Sequence, residues 1–79
     1  MYFVYIIQSK NDRSFYIGVT MSLRERIRQH NWHETKSTAS KTPYELVWFS
    51  GFKNKHKALS FEKYLKSSSG HAFRNKHLI

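Results

Sequence analysis

Seventy-nine residues suffice for one small core and leave no length for a second domain of ordinary size. No cysteine is present, which excludes a disulfide framework and a thiolate metal cage. Fourteen Lys and Arg against five acids give a net charge of +9, a balance that on a small, aromatic-rich chain points first to nucleic acid.

The charge is uneven. Residues 51–79 carry seven Lys/Arg and one acid, residues 1–50 seven and four, so the C-terminal third is expected to be the most positive surface. The apolar run at residues 2–7 is too short to span a membrane and is not followed by a small-residue cleavage site, so a soluble, cytoplasmic protein is expected.

Residues 2–9 (YFVYIIQS) are β-branched and aromatic without a breaker and read as a strand. Both alternating sets are apolar, which predicts a central strand covered on both faces. Residues 10–13 (KNDR) signal a turn and residues 14–20 (SFYIGVT) a second strand, completing an antiparallel hairpin. A turn centred on Lys10–Asn11 sets Tyr5 opposite Tyr16; one centred on Asn11–Asp12 sets Tyr5 opposite Gly18, with Tyr16 diagonal. Either register leaves the two tyrosines on one face. Gly18 marks a bulge or a close approach to the backbone.

Ser22-Leu-Arg-Glu25 fits a capping box, with Ser22 as N-cap and Glu25 reaching back, ahead of a helix to about Asn31. Leu23, Ile27 and His30 form its inner stripe with Arg26 on the same side, while Arg24 and Arg28 point outward to solvent or phosphate. Residues 32–43 form a polar connection, either a loop closing over a backbone phosphate or a plain connector. A third strand follows at residues 45–52. Asn54 caps a second helix through about Lys66, ended by Ser67-Ser-Ser-Gly70 with Gly70 in the left-handed position, and residues 71–79 form a short terminal helix or extension.

On the second helix Glu62 falls inside an apolar stripe of Ala58, Leu59, Phe61 and Leu65. An inward carboxylate is costly unless it is paired or holds a metal, so a salt bridge to Arg26 and a metal ligand are both open readings. Asp12, Glu25, Glu34 and Glu45 have local explanations, which leaves at most one carboxylate for a hard divalent cation. That suits a single Mg²⁺ with waters and substrate phosphate, and not a two-metal site. Arg26 suits a charged phosphorane or a partner for Glu62. Tyr5 and Tyr16 can orient or deprotonate a water, a phenol near pKa about 10 needing cations to lower it, or can simply pack. His30 can relay a proton, hold phosphate or be a satisfied core histidine. The other four histidines show no zinc spacing.

Four segments together resemble the GIY-YIG nuclease superfamily, in its short single-domain bacterial form. They are Phe3-Val4-Tyr5, Tyr16-Ile17-Gly18, Leu23-x-x-Arg26-Ile27-x-x-His30 and Phe61-Glu62-Lys63-x-Leu65-Lys66. Phe3-Val4 departs from the usual Gly-Ile, with Tyr5 retained, and Asn75 is the match for a late asparagine. The resemblance covers nearly the whole chain. It implies an α+β domain over residues 1–79, a three-stranded antiparallel sheet flanked by helices, that hydrolyses DNA through one Mg²⁺ or Mn²⁺. Tyr5 and Tyr16 would then handle the water, Arg26 the transition state and Glu62 the metal, with His30 supporting the nucleophile or phosphate. Gly18, Arg24, Arg28, Lys41, Lys66 and Asn75 make up the substrate-side set. DNA binding would be dominated by the backbone and sensitive to salt. The alternative reading is a non-catalytic nucleic-acid-binding module on the same fold, and a third is a module that works only with a partner or as an oligomer.

Overall fold

The computed structural model describes residues 1–32 and 41–79. Strand β1 (Tyr2–Ser9) lies between β2 (Phe15–Thr20) and β3 (Tyr44–Phe52), antiparallel to both. Among the described residues three helices follow: α1 (Leu23–Asn31) between β2 and β3, then α2 (Lys55–Leu65) and α3 (Ser68–His77). This is the α+β architecture the sequence implied.

The two apolar faces of β1 explain its central place. Val4 and Ile6, fully buried, join Ile17, Ala58 and Leu65 in one core, flanked by Phe61 of α2 and by Phe73 and Leu78. On the other face Tyr5 and Ile7 join Tyr44 in a smaller core closed by Leu23 and Ile27 of α1. With four apolar residues fully removed from water, β1 carries core on both sides.

The hairpin takes the register in which Tyr5 pairs with Gly18 and Tyr16 pairs with Ile7. Ser9 sets the turn. Its buried hydroxyl accepts from the amides of Asn11 and Asp12 and donates to the Lys41 carbonyl. Asp12 Oδ1 accepts from both the amide and the hydroxyl of Ser14, and Arg13 takes a left-handed φ of 67° between them.

Three local expectations need correction. Ser22 stands at the N-cap with extended backbone, yet its side chain caps nothing, and Glu25 is drawn to Arg28 at 2.6 Å instead of back to the helix start. A nearby guanidinium, able to take the carboxylate bidentately, outcompetes one backbone amide. Leu59 is 40% exposed, because one residue past Ala58 turns it off the buried stripe. Gly70 is not a left-handed stop: it lies buried in the first turn of α3, where a Cβ would collide with the Tyr64 carbonyl. The serine run instead starts that helix, Ser67 Oγ accepting from the Gly70 amide at 3.1 Å.

The third strand begins one residue earlier than expected, at Tyr44, whose amide donates to Asn31 Oδ1 at 2.6 Å while its carbonyl accepts from Asn31 Nδ2. This pair ties the end of α1 to β3. Most of the expected 32–43 connection, with His33 and Glu34, lies outside the described residues.

Candidate functional site

Tyr5 stands at the centre of β1 and reaches across Gly18 on the paired strand. Its hydroxyl lies 3.0 Å from Nε2 of His30, one of two fully buried polar residues among those described. Helix α1 delivers that imidazole from its last turn, and the rings of Tyr16 (4.8 Å between centroids) and Tyr44 (6.0 Å) wall it in. The Tyr5 and Tyr16 rings lie 6.5 Å apart and near parallel.

Arg26, one turn before His30, presents its guanidinium to both phenols. Its pKa is raised, first by hydrogen bonding to Tyr5. One terminal nitrogen donates to Gln29 Oε1 at 3.1 Å, which braces the side chain along the helix.

These contacts set the protonation states. Burial pushes the Tyr5 phenol above its ordinary pKa, and the opposing pull of Arg26 does not cancel it. Burial, assisted by Arg26, pushes His30 down to about 4. At neutral pH the site therefore holds a neutral phenol against a neutral imidazole. With both groups neutral, the phenol can donate its hydrogen to an unprotonated Nε2.

Glu62 approaches from α2, and its charge acts on Tyr5 to raise the phenol further. Its side chain is only 21% exposed, and Oε2 pairs with Lys66 Nζ at 3.2 Å one turn on, not with Arg26. No group of three or more His, Cys, Asp or Glu residues capable of holding a metal occurs among the described residues. The donor set here is one partly buried carboxylate beside tyrosines, which fits a hard divalent cation that keeps most of its water and shares the substrate phosphate.

The structure thus gathers Tyr5, Tyr16, Gly18, Arg26 and His30, with Glu62 and Lys66 at the margin. The remaining candidates stand apart. Arg28 is engaged by Glu25, and Arg24 is exposed on the same helix. Lys41 pairs with Asp12 at 3.6 Å and meets β1 at Ser9, about 13 Å along the strand from Tyr5. Asn75 is exposed on α3 and accepts from Arg74 Nε at 3.2 Å.

Gln29 and Tyr44 escaped the sequence reading. The first could have been found as the i+3 neighbour of Arg26; no local signal marks the second.

The model of the GIY-YIG catalytic domain matches residues 1–76. This chain belongs to the GIY-YIG family. That family places it in a nuclease superfamily. A UPF0213 protein of Clostridium perfringens is 43% identical over 67 residues, spanning 84% of this chain and 71% of the relative. One from Haloquadratum walsbyi is 40% identical over 67 residues, spanning 84% of this chain and 74% of its own. The solution NMR structure of a UPF0213 protein from Bacillus halodurans superposes with a TM-score of 0.59 at 31% identity, covering 96% of this chain and 82% of that one. Among the described residues no helix is long and apolar enough to cross a membrane.

Proposed function

We propose that this GIY-YIG domain is a metal-dependent endonuclease that hydrolyses DNA phosphodiester bonds in the cytoplasm. The observation that carries the reading is the Tyr5–His30 hydrogen bond beside the Arg26 guanidinium, with the Glu62 carboxylate close enough to act on the same phenol. A domain that only bound the backbone would gain nothing from a carboxylate near phosphate.

In this reading substrate binding opens the Tyr5 oxygen, buried in the unliganded fold, to the attacking water, from which it receives a proton while its own passes to Nε2 of His30. The raised phenol pKa is compatible with that role because Tyr5 never needs to exist as a free phenolate. A substrate phosphate against Arg26 would neutralise one of the two causes that hold His30 down, so the imidazole becomes a better acceptor when the site is filled. The new oxygen–phosphorus bond forms as the ester oxygen leaves as an alkoxide. Arg26 donates to the phosphoryl oxygens as their charge grows, a contribution largest in a site screened from water. Tyr16 holds the water in line. His30, fully buried, acts through Tyr5.

Glu62 would hold the single Mg²⁺ or Mn²⁺, whose chemistry when bound is to neutralise phosphoryl charge and to acidify water. Lys66 would then turn from Glu62 to phosphate.

The test is incubation of supercoiled plasmid with Mg²⁺, Mn²⁺ or EDTA, for the wild type, Glu62→Gln and Arg26→Ala. Nicking that needs the metal and that both variants lose is the expected result. A wild type that shifts DNA on a gel but never cuts it returns the domain to a binding module.

A further inference from the structure

Beside the tyrosines, between the edge strand β2 and the junction of α2 with α3, lies an open cavity of about 310 Å³. Its apolar floor is Phe15 and Ile17, its wall Tyr16, and its rim Lys66, His71 and Arg74. The chemistry of the rim is uniform: two permanent cations and an imidazole converge on a concave surface. Among the described residues neither Arg74 nor His71 pairs with a carboxylate.

Arg74 is also oriented. Its guanidinium lies over the Phe15 ring at 4.8 Å, and its Nε is spent on Asn75 Oδ1 at 3.2 Å. A guanidinium fixed at both its face and its Nε presents its terminal nitrogens as a prepared fork, the arrangement that matches two phosphate oxygens. Ordinary surface arginines lose rotamer freedom on binding; this one has already lost much of it.

Resting on the phosphodiester reading above, we infer that this cavity is a second phosphate subsite, one that holds the backbone phosphate neighbouring the cleaved one along the same strand. Two features link it to the site. Tyr16 is a wall of both, and Lys66 lies on the cavity rim while pairing with Glu62. The Tyr16 ring packs on the α1 face of the sheet and Phe15 and Ile17 face α2 and α3, so a strand crossing the β2 edge at Tyr16 would have one phosphate at Arg26 and the next among Lys66, His71 and Arg74. The apolar floor takes the intervening sugar. The volume lies at the small end for ligand sites and suits a phosphate with its sugar.

The experiment is fluorescence anisotropy with a labelled oligodeoxynucleotide in EDTA across a salt series, for the wild type, Arg74→Gln, Arg74→Lys and His71→Gln, each checked for folding by circular dichroism. Arg74→Gln is expected to weaken binding about tenfold, one charge-assisted contact. It should also lower the slope of log K against log salt by about one. Arg74→Lys should retain that slope, a rescue that a merely structural role would not produce. A parallel titration with thymidine 5′-monophosphate should give far weaker binding than the oligonucleotide.

If Arg74→Gln folds and keeps both affinity and slope, the subsite is wrong. If the mononucleotide binds as tightly as the strand, the cavity belongs to a free nucleotide and the proposal falls. Failure of the endonuclease reading looks different: the oligonucleotide binds with the expected Arg74 dependence, and added Mg²⁺ or Mn²⁺ produces no cleavage.

Discussion

The Tyr5 ring lies against the backbone of Gly18, so close that a Cβ built there would stand 2.5 Å from the phenolic oxygen. Gly18 has no positive φ, so what it supplies is space and not backbone freedom. Replacing it with alanine must move a buried phenol off its His30 partner. Gly18→Ala is expected to cost about 1–3 kcal/mol, the range for overpacking a core, and to abolish cleavage. Urea denaturation and the plasmid assay read the two effects separately.

The two tyrosines differ in what they support. Tyr5→Phe leaves a buried imidazole nitrogen without its partner, at about 1–3 kcal/mol. Tyr16 is only partly buried, and its phenylalanine variant should lie within about 0.5 kcal/mol of wild type. Both should lose cleavage. Equal stability losses in thermal melts would show that the Tyr5–His30 bond has no special place in the fold.

His30 gives the fold a pH dependence with a defined sign. Its pKa is about 4 in the folded state against an ordinary 6.5, so the unfolded chain binds more protons between those values. The stability is complete above about pH 6.5 and is lost as pH falls towards 4. Between pH 7.5 and 4.5 the expected loss is about 2–3 kcal/mol. Asp12 and Glu25, both depressed, titrate below their ordinary values and act mainly under pH 4.5. Denaturation curves of wild type and His30→Gln at the two pH values isolate the histidine: the variant should be nearly flat.

Much of this arrangement was legible in the chain, for physical reasons. A strand apolar on both faces has nowhere to go but the middle of a sheet, and β1 is there. Arg26 and His30 at i and i+4 must share a helix face, which aims both at the tyrosines. What local pattern could not carry was competition between partners. Glu25 has two suitors, an amide and Arg28, and only the folded geometry lets the guanidinium win. Glu62 likewise turned to Lys66 on its own helix instead of to Arg26. The register depended on Ser9, whose hydroxyl gathers turn amides and the Lys41 carbonyl from 32 residues away. Gly70 looked like a stop signal because its real constraint, the Tyr64 carbonyl, lies in the preceding helix.

That contact gives a fourth prediction. Gly70→Ala must drive α3 away from the end of α2, separating Phe73 from Tyr64, whose rings now lie 6.0 Å apart. A destabilisation at the upper end of about 1–3 kcal/mol is expected. Hydrogen exchange should accelerate first in α3, while α1 amides stay protected.

The candidate site also has an order of manufacture. A nascent chain that has emerged only through α1 already carries both tyrosines, Arg26 and His30, but β1 still lacks its β3 neighbour, and Glu62 has not yet emerged. If the carboxylate is indispensable, unfinished copies on the ribosome are harmless to the surrounding nucleic acid. The full set of candidate groups then comes together only with α2, the segment that closes the larger core.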